Sequence, residues 1–376
     1  MQFRDLRTHY NVLKDDIDKE IKSVLESSNY ILGEQVSELE KKLAEYVGVK
    51  NCIACASGTD ALILSLMALK IGEGDAVFVP DFTFFASVSS EIIRGATPIL
   101  VDIDKDTYNI SYKGLEEAIK KVISEGKLKP KIVITVDLFG QCAEYDKIRE
   151  ITDKYGLKIL EDGAQGFGGS IKGKKACSFG DIGATSFFPA KPLGCYGDGG
   201  AIFTNDDSMD MILRSLRSHG KSVNDKYDNQ EIGINSRLDT IQAAILIPKL
   251  KAFVDYELDA VNRVAKRYTE LLHNIVKTPL VLDDYVSSWA QYTILLKDEK
   301  QRDGLKEYLK SKGIPTMVYY PRGIHQQSAI IKMGYGKGNF PVTEYVVKRC
   351  LSLPIHPYMK DDEIEFIAQN IIKYMN

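Results

Sequence analysis

The sequence predicts an α/β fold, in which a large domain built on a mixed, mostly parallel sheet is followed by a small C-terminal α+β domain. Three observations carry this. From residue 50 to 205, short apolar runs alternate with segments of helical spacing, the pattern of a parallel sheet with helical crossovers. The runs are apolar enough to be covered on both faces. Beyond residue 239 the chain becomes a long amphipathic stretch and then a second, shorter set of strand and helix patterns.

Taken in order, Asp16 to Leu25 (DIDKEIKSVL) reads as a helix, Asn29 to Gly33 as a turn, and Val36 to Val47 as a second helix. The strand candidates are Cys52 to Ala56, Ala76 to Pro80, Pro98 to Asp102, Lys131 to Asp137, Leu157 to Glu161, Ala184 to Phe188 and Ala201 to Asn205. Between the first five lie the helical segments Asp60 to Leu69, Phe85 to Arg94, Leu115 to Ser124 and Tyr145 to Tyr155. The last two strands have no helix between them, which suits an antiparallel pairing. Asp239 to Leu272 is helical in pattern, and Pro248 is expected to kink or break it. A strand at Gln291 to Leu296, a helix around Arg302 to Lys312 and a closing helix from Asp361 to Tyr374 complete the chain. The boundary falls near residue 250, dividing the chain into 1–250 and 251–376.

Composition narrows the function. Among 376 residues, 49 Lys+Arg face 52 Asp+Glu, and the near balance of charge argues against a dedicated nucleic-acid binder. A hydrophobic content of 44% argues against disorder. No apolar run approaches the roughly 18 to 20 residues of a membrane helix, and Met1 to Tyr10 lacks the apolar core of a signal peptide, so the expected location is the cytoplasm. Six cysteines in so long a chain do not make a disulfide framework. Cys52 and Cys55 form a C-x-x-C with no second pair nearby, which reads as strand packing rather than a metal site.

In a sheet of this kind ligands sit beyond the carboxyl ends of the strands. After the first strand, Ser57-Gly58-Thr59-Asp60 leads directly into a helix; it is either a plain cap or an anion seat made by N–H groups and the helix dipole. No G-x-G-x-x-G follows that strand, and Gly168 to Lys175 (GGSIKGKK) has Lys175 where a P-loop needs Ser or Thr, so a tight turn is the better reading. Asp162 ends the fifth strand, either as a cap or as a buried anion that keeps a heterocyclic nitrogen protonated. Lys191 lies between an apolar strand and the glycine-rich Gly194 to Gly200. A lysine nucleophile there needs burial or a neighbouring positive charge, the alternative being a snorkelling surface side chain. Together, a phosphate seat, a strand-end acid and a lysine on one sheet are the parts of a pyridoxal 5′-phosphate (PLP) site.

At these motifs the chain resembles the sugar aminotransferases of the DegT/DnrJ/EryC1/StrS family. The resemblance runs through Asn29-Tyr30-Ile31-Leu32-Gly33, Ser57 to Leu62, Phe82-Thr83-Phe84, Glu161-Asp162 with Gln165, Ser186 and Lys191, and Gly197-Asp198-Gly199-Gly200. It continues through Ser218-His219-Gly220, Gly233 to Asp239, Tyr320-Pro321 and Leu351 to Pro354. It implies the PLP-dependent transferase fold type I, like aspartate aminotransferase. Carried over residue by residue, it implies that Lys191 forms the Schiff base and that Asp162 partners the pyridine nitrogen. Gln165 would bond the ring hydroxyl and Phe84 stack on the ring, while Gly58, Thr59 and Ser186 would hold the phosphate. Asn235 would reach the phosphate from a neighbouring subunit, which implies a homodimer with composite sites. Gly163 departs from the family, which commonly has Ala or Cys there.

The runs TSFFPAKPLGCYGDGGAIFTNDD and GINSRLDTIQAAILIPKL are most similar to the subgroup that aminates C3 of UDP-N-acetyl-3-keto-glucosaminuronate for bacterial surface polysaccharide. The resemblance then implies a nucleotide-linked keto sugar as acceptor and L-glutamate as donor. Arg237 could pair with a carboxylate of either, and Tyr319, Tyr320 and His325 occupy the stretch that contacts substrate. Around His325 the match to this subgroup weakens, so dTDP-, UDP- or GDP-linked 3-keto or 4-keto-6-deoxy sugars stay open as acceptors. A PLP-dependent sugar dehydratase would have histidine in place of Lys191. A non-catalytic PLP-binding regulator would not need the intact set of Lys191, Asp162, Gln165 and Ser186.

Overall fold

A computed structural model describes residues 1–222, 225 and 227–376. The N-terminal helices are α1 (Leu6–Ser27) and α2 (Glu34–Val47). The sheet-building segment then runs β1 (Asn51–Cys55), α3 (Gly58–Ala68), β2 (Asp75–Pro80), α4 (Ala86–Ile93), β3 (Thr97–Val101), α5 (Tyr112–Glu125), β4 (Lys129–Val136), α6 (Tyr145–Tyr155) and β5 (Lys158–Asp162). The short strands β6 (Ser170–Ile171) and β7 (Lys174–Lys175) precede β8 (Ile182–Ser186), β9 (Gly200–Thr204) and α7 (Asp207–Leu216).

The seven-stranded sheet has the order β1-β9-β8-β5-β4-β2-β3. All pairs from β8 to β3 are parallel, and β9 alone runs against its two neighbours. Side chains alternate between two cores: Val77, Val79, Ile132 and Ile134 pack on one face, Ala76, Phe78 and Val133 on the other. That alternation, apolar at every step, is why the strands read as continuous apolar runs. Cys52 and Cys55 of β1 fall into different cores, so they cannot chelate one ion together. Among the described residues no cluster of three or more His, Cys, Asp or Glu side chains is placed to hold a metal.

The C-terminal part consists of α8 (Thr240–Ala252), α9 (Leu258–Leu272), β10 (Tyr285–Val286), β11 (Tyr292–Leu295), α10 (Glu299–Ser311), α11 (Ser328–Lys332), α12 (Pro341–Val347), β12 (Cys350–Leu353) and α13 (Asp361–Met375). Strands β11 and β12 pair antiparallel, and a separate core of Tyr268, Tyr292, Leu305, Leu353, Ile364 and Ile367 holds α9, α10 and α13 against them. Residue 250 lies inside α8.

Two expectations are corrected and one missed element is added. Pro248 does not break the helix: α8 carries it in its interior, and the departure from α geometry comes later, in a π turn at Phe253–Glu257. The first helix starts at Leu6 rather than near Asp16, because the Asp5 carboxylate caps it by accepting from the Thr8 N–H at 2.9 Å. Helix α7, absent from the sequence reading, starts where Asp206 accepts from the N–H groups of Ser208 and Met209. The run Gly168 to Lys175 forms the β6–β7 hairpin, as its turn chemistry indicated. Among the described residues no helix is long and apolar enough to cross a membrane.

Candidate active site

The strand ends meet along one edge of the sheet. β1 stops at Cys55, and the Ser57 hydroxyl caps α3 by accepting from the Asp60 N–H at 3.1 Å. The N–H groups of Gly58 and Thr59 belong to the first helical turn, whose donors have no partner inside the helix. Gly58 is required by close approach, since a Cβ there would lie 2.6 Å from the Ser186 Cβ at the end of β8. The Ser186 hydroxyl faces the same edge and accepts from the Phe188 N–H at 3.2 Å. Behind the seat, Ser236 donates to Asp60 at 2.7 Å and accepts from the Ala56 N–H at 3.1 Å. The loop that carries Asn235 and Arg237 is thereby tied to the seat.

Asp162, at the end of β5, is only 6% exposed. The Ser87 hydroxyl donates to its Oδ2 at 2.8 Å and the Ala164 N–H to its Oδ1 at 3.2 Å. Burial pushes its carboxyl above the usual carboxylate range, opposed by the Ser87 hydrogen bond and the charge of Lys191. Lys191 feels the mirror-image balance: burial pulls its amine down, Asp162 holds it up, and Arg4 lowers it further. The acid and the lysine named from sequence therefore lie near enough for the charge of each to act on the other.

Gln165 is buried beside them; its Oε1 accepts from the Phe139 N–H at 2.8 Å and its Nε2 donates to the Tyr320 hydroxyl at 3.1 Å. The Phe84 ring, 55% exposed, lies 6.2 Å from the ring of Tyr320 and leaves a face free for stacking. Tyr319 is half-buried and meets Phe3 edge-on at 6.2 Å. His325 is tied down: its Nδ1 lies 2.5 Å from Asp81 Oδ2, its N–H donates to Asp81 Oδ1 at 2.7 Å, and its ring stacks on Phe340. Burial pushes the Asp81 carboxyl up to about 6, against the pull of these His325 contacts. Asn235 is exposed and bridges Ser218 through its backbone, while Arg237 has a buried Nε with no hydrogen-bond partner among the described residues. Lys191, Asp162, Gln165, Tyr320, Phe84 and the Gly58–Thr59–Ser186 seat thus share one edge; Asn235 and His325 stand at its margins.

Sequence reasoning missed Ser87 and Arg4. Ser87 was legible as a hydroxyl at the start of the helix after Phe82-Thr83-Phe84, and Thr83 lies 3.1 Å from it. Arg4 gave no signal, because its contact with Lys191 spans 187 residues.

The family model for the DegT/DnrJ/EryC1/StrS aminotransferase family matches residues 11–372. The chain belongs to this family. A relative from Pseudomonas aeruginosa, the UDP-2-acetamido-2-deoxy-3-oxo-D-glucuronate aminotransferase, is 43% identical and covers 98% of each chain. The crystal structure of a family aminotransferase from Brucella abortus superposes with a TM-score of 0.96 at 47% identity, covering all of both chains. A Bacillus subtilis protein solved with bound cofactor PMP superposes at 0.89 and 29% identity, covering 97% of this chain and 82% of that one. The chain is an aminotransferase with the fold type I architecture of these relatives. Its strand-end edge fits a phosphorylated pyridine cofactor: a seat that a side chain on Gly58 would fill, a buried acid, an apposed lysine and an uncovered aromatic ring.

Proposed function

We propose that this family member is a PLP-dependent aminotransferase that moves an amino group from L-glutamate to C3 of UDP-2-acetamido-2-deoxy-3-keto-glucuronate. On this reading it works in the cytoplasm, as a homodimer with composite sites, in the synthesis of bacterial surface polysaccharide. The observation that carries the reading is the strand-end edge that holds the Ser57–Thr59 seat packed on Ser186 and the buried Asp162, with Lys191 close enough for its charge to act on that acid. The acceptor is supported by the name of the Pseudomonas aeruginosa relative. A second copy is supported by the apolar side chains that a single chain leaves uncovered, including Tyr30, Ile31, Leu32, Ile93 and Phe188. Residues 1–250 form the cofactor domain and 251–376 the small domain.

Gly58, Thr59 and Ser186 would hold the phosphate, joined by Asn235 of a second copy, with Phe84 against the ring and Gln165 at its hydroxyl. When bound, the cofactor supplies an electron sink for the pair released as the donor Cα–H bond breaks. Asp162 would keep a negative charge beside the ring nitrogen and so favour its protonated form, and the Ser87 hydroxyl stabilises that charge in a buried place. The Lys191 Nζ, in its neutral form, would carry a proton from the donor Cα to the cofactor C4′ and, in the second half of the cycle, from that carbon to the sugar C3. Arg237, on the loop tied to the seat, would grip a carboxylate, of the glutamate or of the uronate. Tyr319, Tyr320 and His325 would bound the sugar side, with the Tyr320 hydroxyl fixed by Gln165.

Adding L-glutamate to the purified, PLP-loaded enzyme should replace the PLP absorbance with that of pyridoxamine phosphate, and Lys191→Ala should abolish steady turnover. Full turnover by the purified Lys191→Ala variant would overturn this reading.

A further inference from the structure

The first five residues place a charged group where the mechanism above does not use one. The Phe3 carbonyl accepts from the Ile355 N–H at 3.3 Å, and its ring meets Tyr319, so the arm is pinned to the C-terminal part just before α1 begins. Pinned in this way, Arg4 turns inward. Its Nη2 donates to the Lys191 carbonyl at 3.2 Å, while its Nη1 is buried without a hydrogen-bond partner among the described residues. The Lys191 N–H in turn donates to the Phe188 carbonyl at 2.8 Å. Both backbone groups of the lysine are thus occupied, one by its own loop and one by the arm.

We propose that Arg4 is a positioning residue for Lys191: through its hydrogen bond to the lysine carbonyl it fixes the lysine backbone and holds a cation at the residue that bears the amine. The surroundings keep that cation effective. The narrow space behind Arg4 and Lys191 is lined by His9, Lys249, Glu257 and His356, together with Asp5. Burial lowers His9 to about 3 and His356 to about 4, so both are neutral at pH 7. Burial brings Lys249 down to about 8 and Arg4 to about 10, so both are mainly charged there. Glu257 is the single carboxylate deep in the space; it accepts from the Tyr358 hydroxyl and lies 3.2 Å from His9. Asp5 is engaged by the Thr8 N–H and hydroxyl in capping α1. Arg4 and Lys249 are thus balanced by Glu257 and the outer Asp5, and of the two cations Arg4 is the one that bonds the lysine's own backbone. Positive charge beside a buried amine favours its neutral, nucleophilic form.

This inference rests on Lys191 being the reactive amine, and its test is separable from that reading. Full-length protein freed of cofactor is labelled with a limiting amine-acetylating reagent from neutral to alkaline pH. Labelling of Lys191 is then measured by mass spectrometry relative to exposed lysines such as Lys50. Near neutral pH, Arg4→Gln should label Lys191 about three- to tenfold more slowly than the parent, because loss of the cation raises the pH at which the amine deprotonates. Arg4→Lys, which keeps the charge, should stay within about twofold of the parent. Arg4→Met makes the same charge removal if Arg4→Gln fails to fold. In the cofactor-loaded enzyme, the pH midpoint of the visible absorbance should rise in the neutral variants and not in Arg4→Lys. Unchanged Lys191 labelling in the neutral variants, or an equal loss in Arg4→Lys, would overturn the proposal. Neither result bears on whether Lys191→Ala abolishes turnover.

Discussion

Burial acts on Lys191 and Asp162 in opposite directions, pulling the amine down and pushing the carboxyl up, so each is driven toward its neutral form. Their mutual attraction works against this, and Ser87 adds a hydrogen bond to the ionised form of Asp162. Removing that bond in Ser87→Ala raises the Asp162 carboxyl further, so the ionised form is lost at a higher pH. The acid limb of the glutamate half-reaction should move up by about 1 pH unit, read from its rate against pH; a limb that stays in place would contradict this role. Gly163 offers a second residue-scale test. A Cβ there would lie 2.5 Å from the Cys177 Sγ, so the cysteine fills the space that the family's usual Ala or Cys would occupy. Gly163→Ala alone should cost about 1–3 kcal/mol in denaturant unfolding, and Cys177→Ala in the same chain should recover much of it. Ser87 was legible as a hydroxyl at the start of a helix but not as the partner of Asp162, and Cys177 gave no sign that it fills the space beside Gly163, because both contacts are made only by the folded chain. Asp162 and Lys191, each of which alone also read as a cap or a surface side chain, were legible through their combination with the Ser57–Asp60 seat and the family motifs.

At the scale of elements, strands β1 to β5 were readable because their centres are apolar runs such as Ala76–Val79 and Ile132–Ile134, and helices α5 and α6 because they are amphipathic. The errors arose where local chemistry was overridden. Packing of α8 on both α1 and α2 keeps the helix continuous through Pro248, although proline removes one N–H donor. Helix α2 is anchored by Glu40, which accepts from the Ala54 N–H of β1 at 2.9 Å, from Arg217 at 2.6 Å and from Arg214 of α7 at 2.7 Å. Glu40→Ala would leave Arg217 buried without its counter-charge, and a loss of about 3–5 kcal/mol is expected in denaturant unfolding. The seat itself depends on an element junction, the start of α3 packed on the end of β8. Gly58→Ala should push Ser186 away and weaken cofactor binding by about tenfold or more, measured by titrating the cofactor-free protein with PLP.

At the scale of the molecule, Asn235 is exposed on a loop tied to its own chain's seat, and the proposed homodimer has it complete the seat of the second copy. Hybrid dimers decide this. A subunit carrying Lys191→Ala paired with one carrying Asn235→Ala contains one wholly native site if sites are composite, and none if each chain builds its own. A hybrid therefore has half of its sites native, and random reassortment of the two variants should recover about a quarter of native activity. The mixed-sign composition that argued against nucleic acid is compatible with this chemistry, since the anion seat is local and uses N–H groups and hydroxyls rather than a basic face. The acceptor sugar is the central claim that residue geometry reaches least directly, because it depends on Arg237 and the Tyr319 to His325 stretch acting together. The enzyme loaded with pyridoxamine phosphate and mixed with candidate keto sugars tests it most directly. Return of the PLP absorbance with UDP-2-acetamido-2-deoxy-3-keto-glucuronate is the predicted result, and return only with 4-keto-6-deoxy sugars would contradict it.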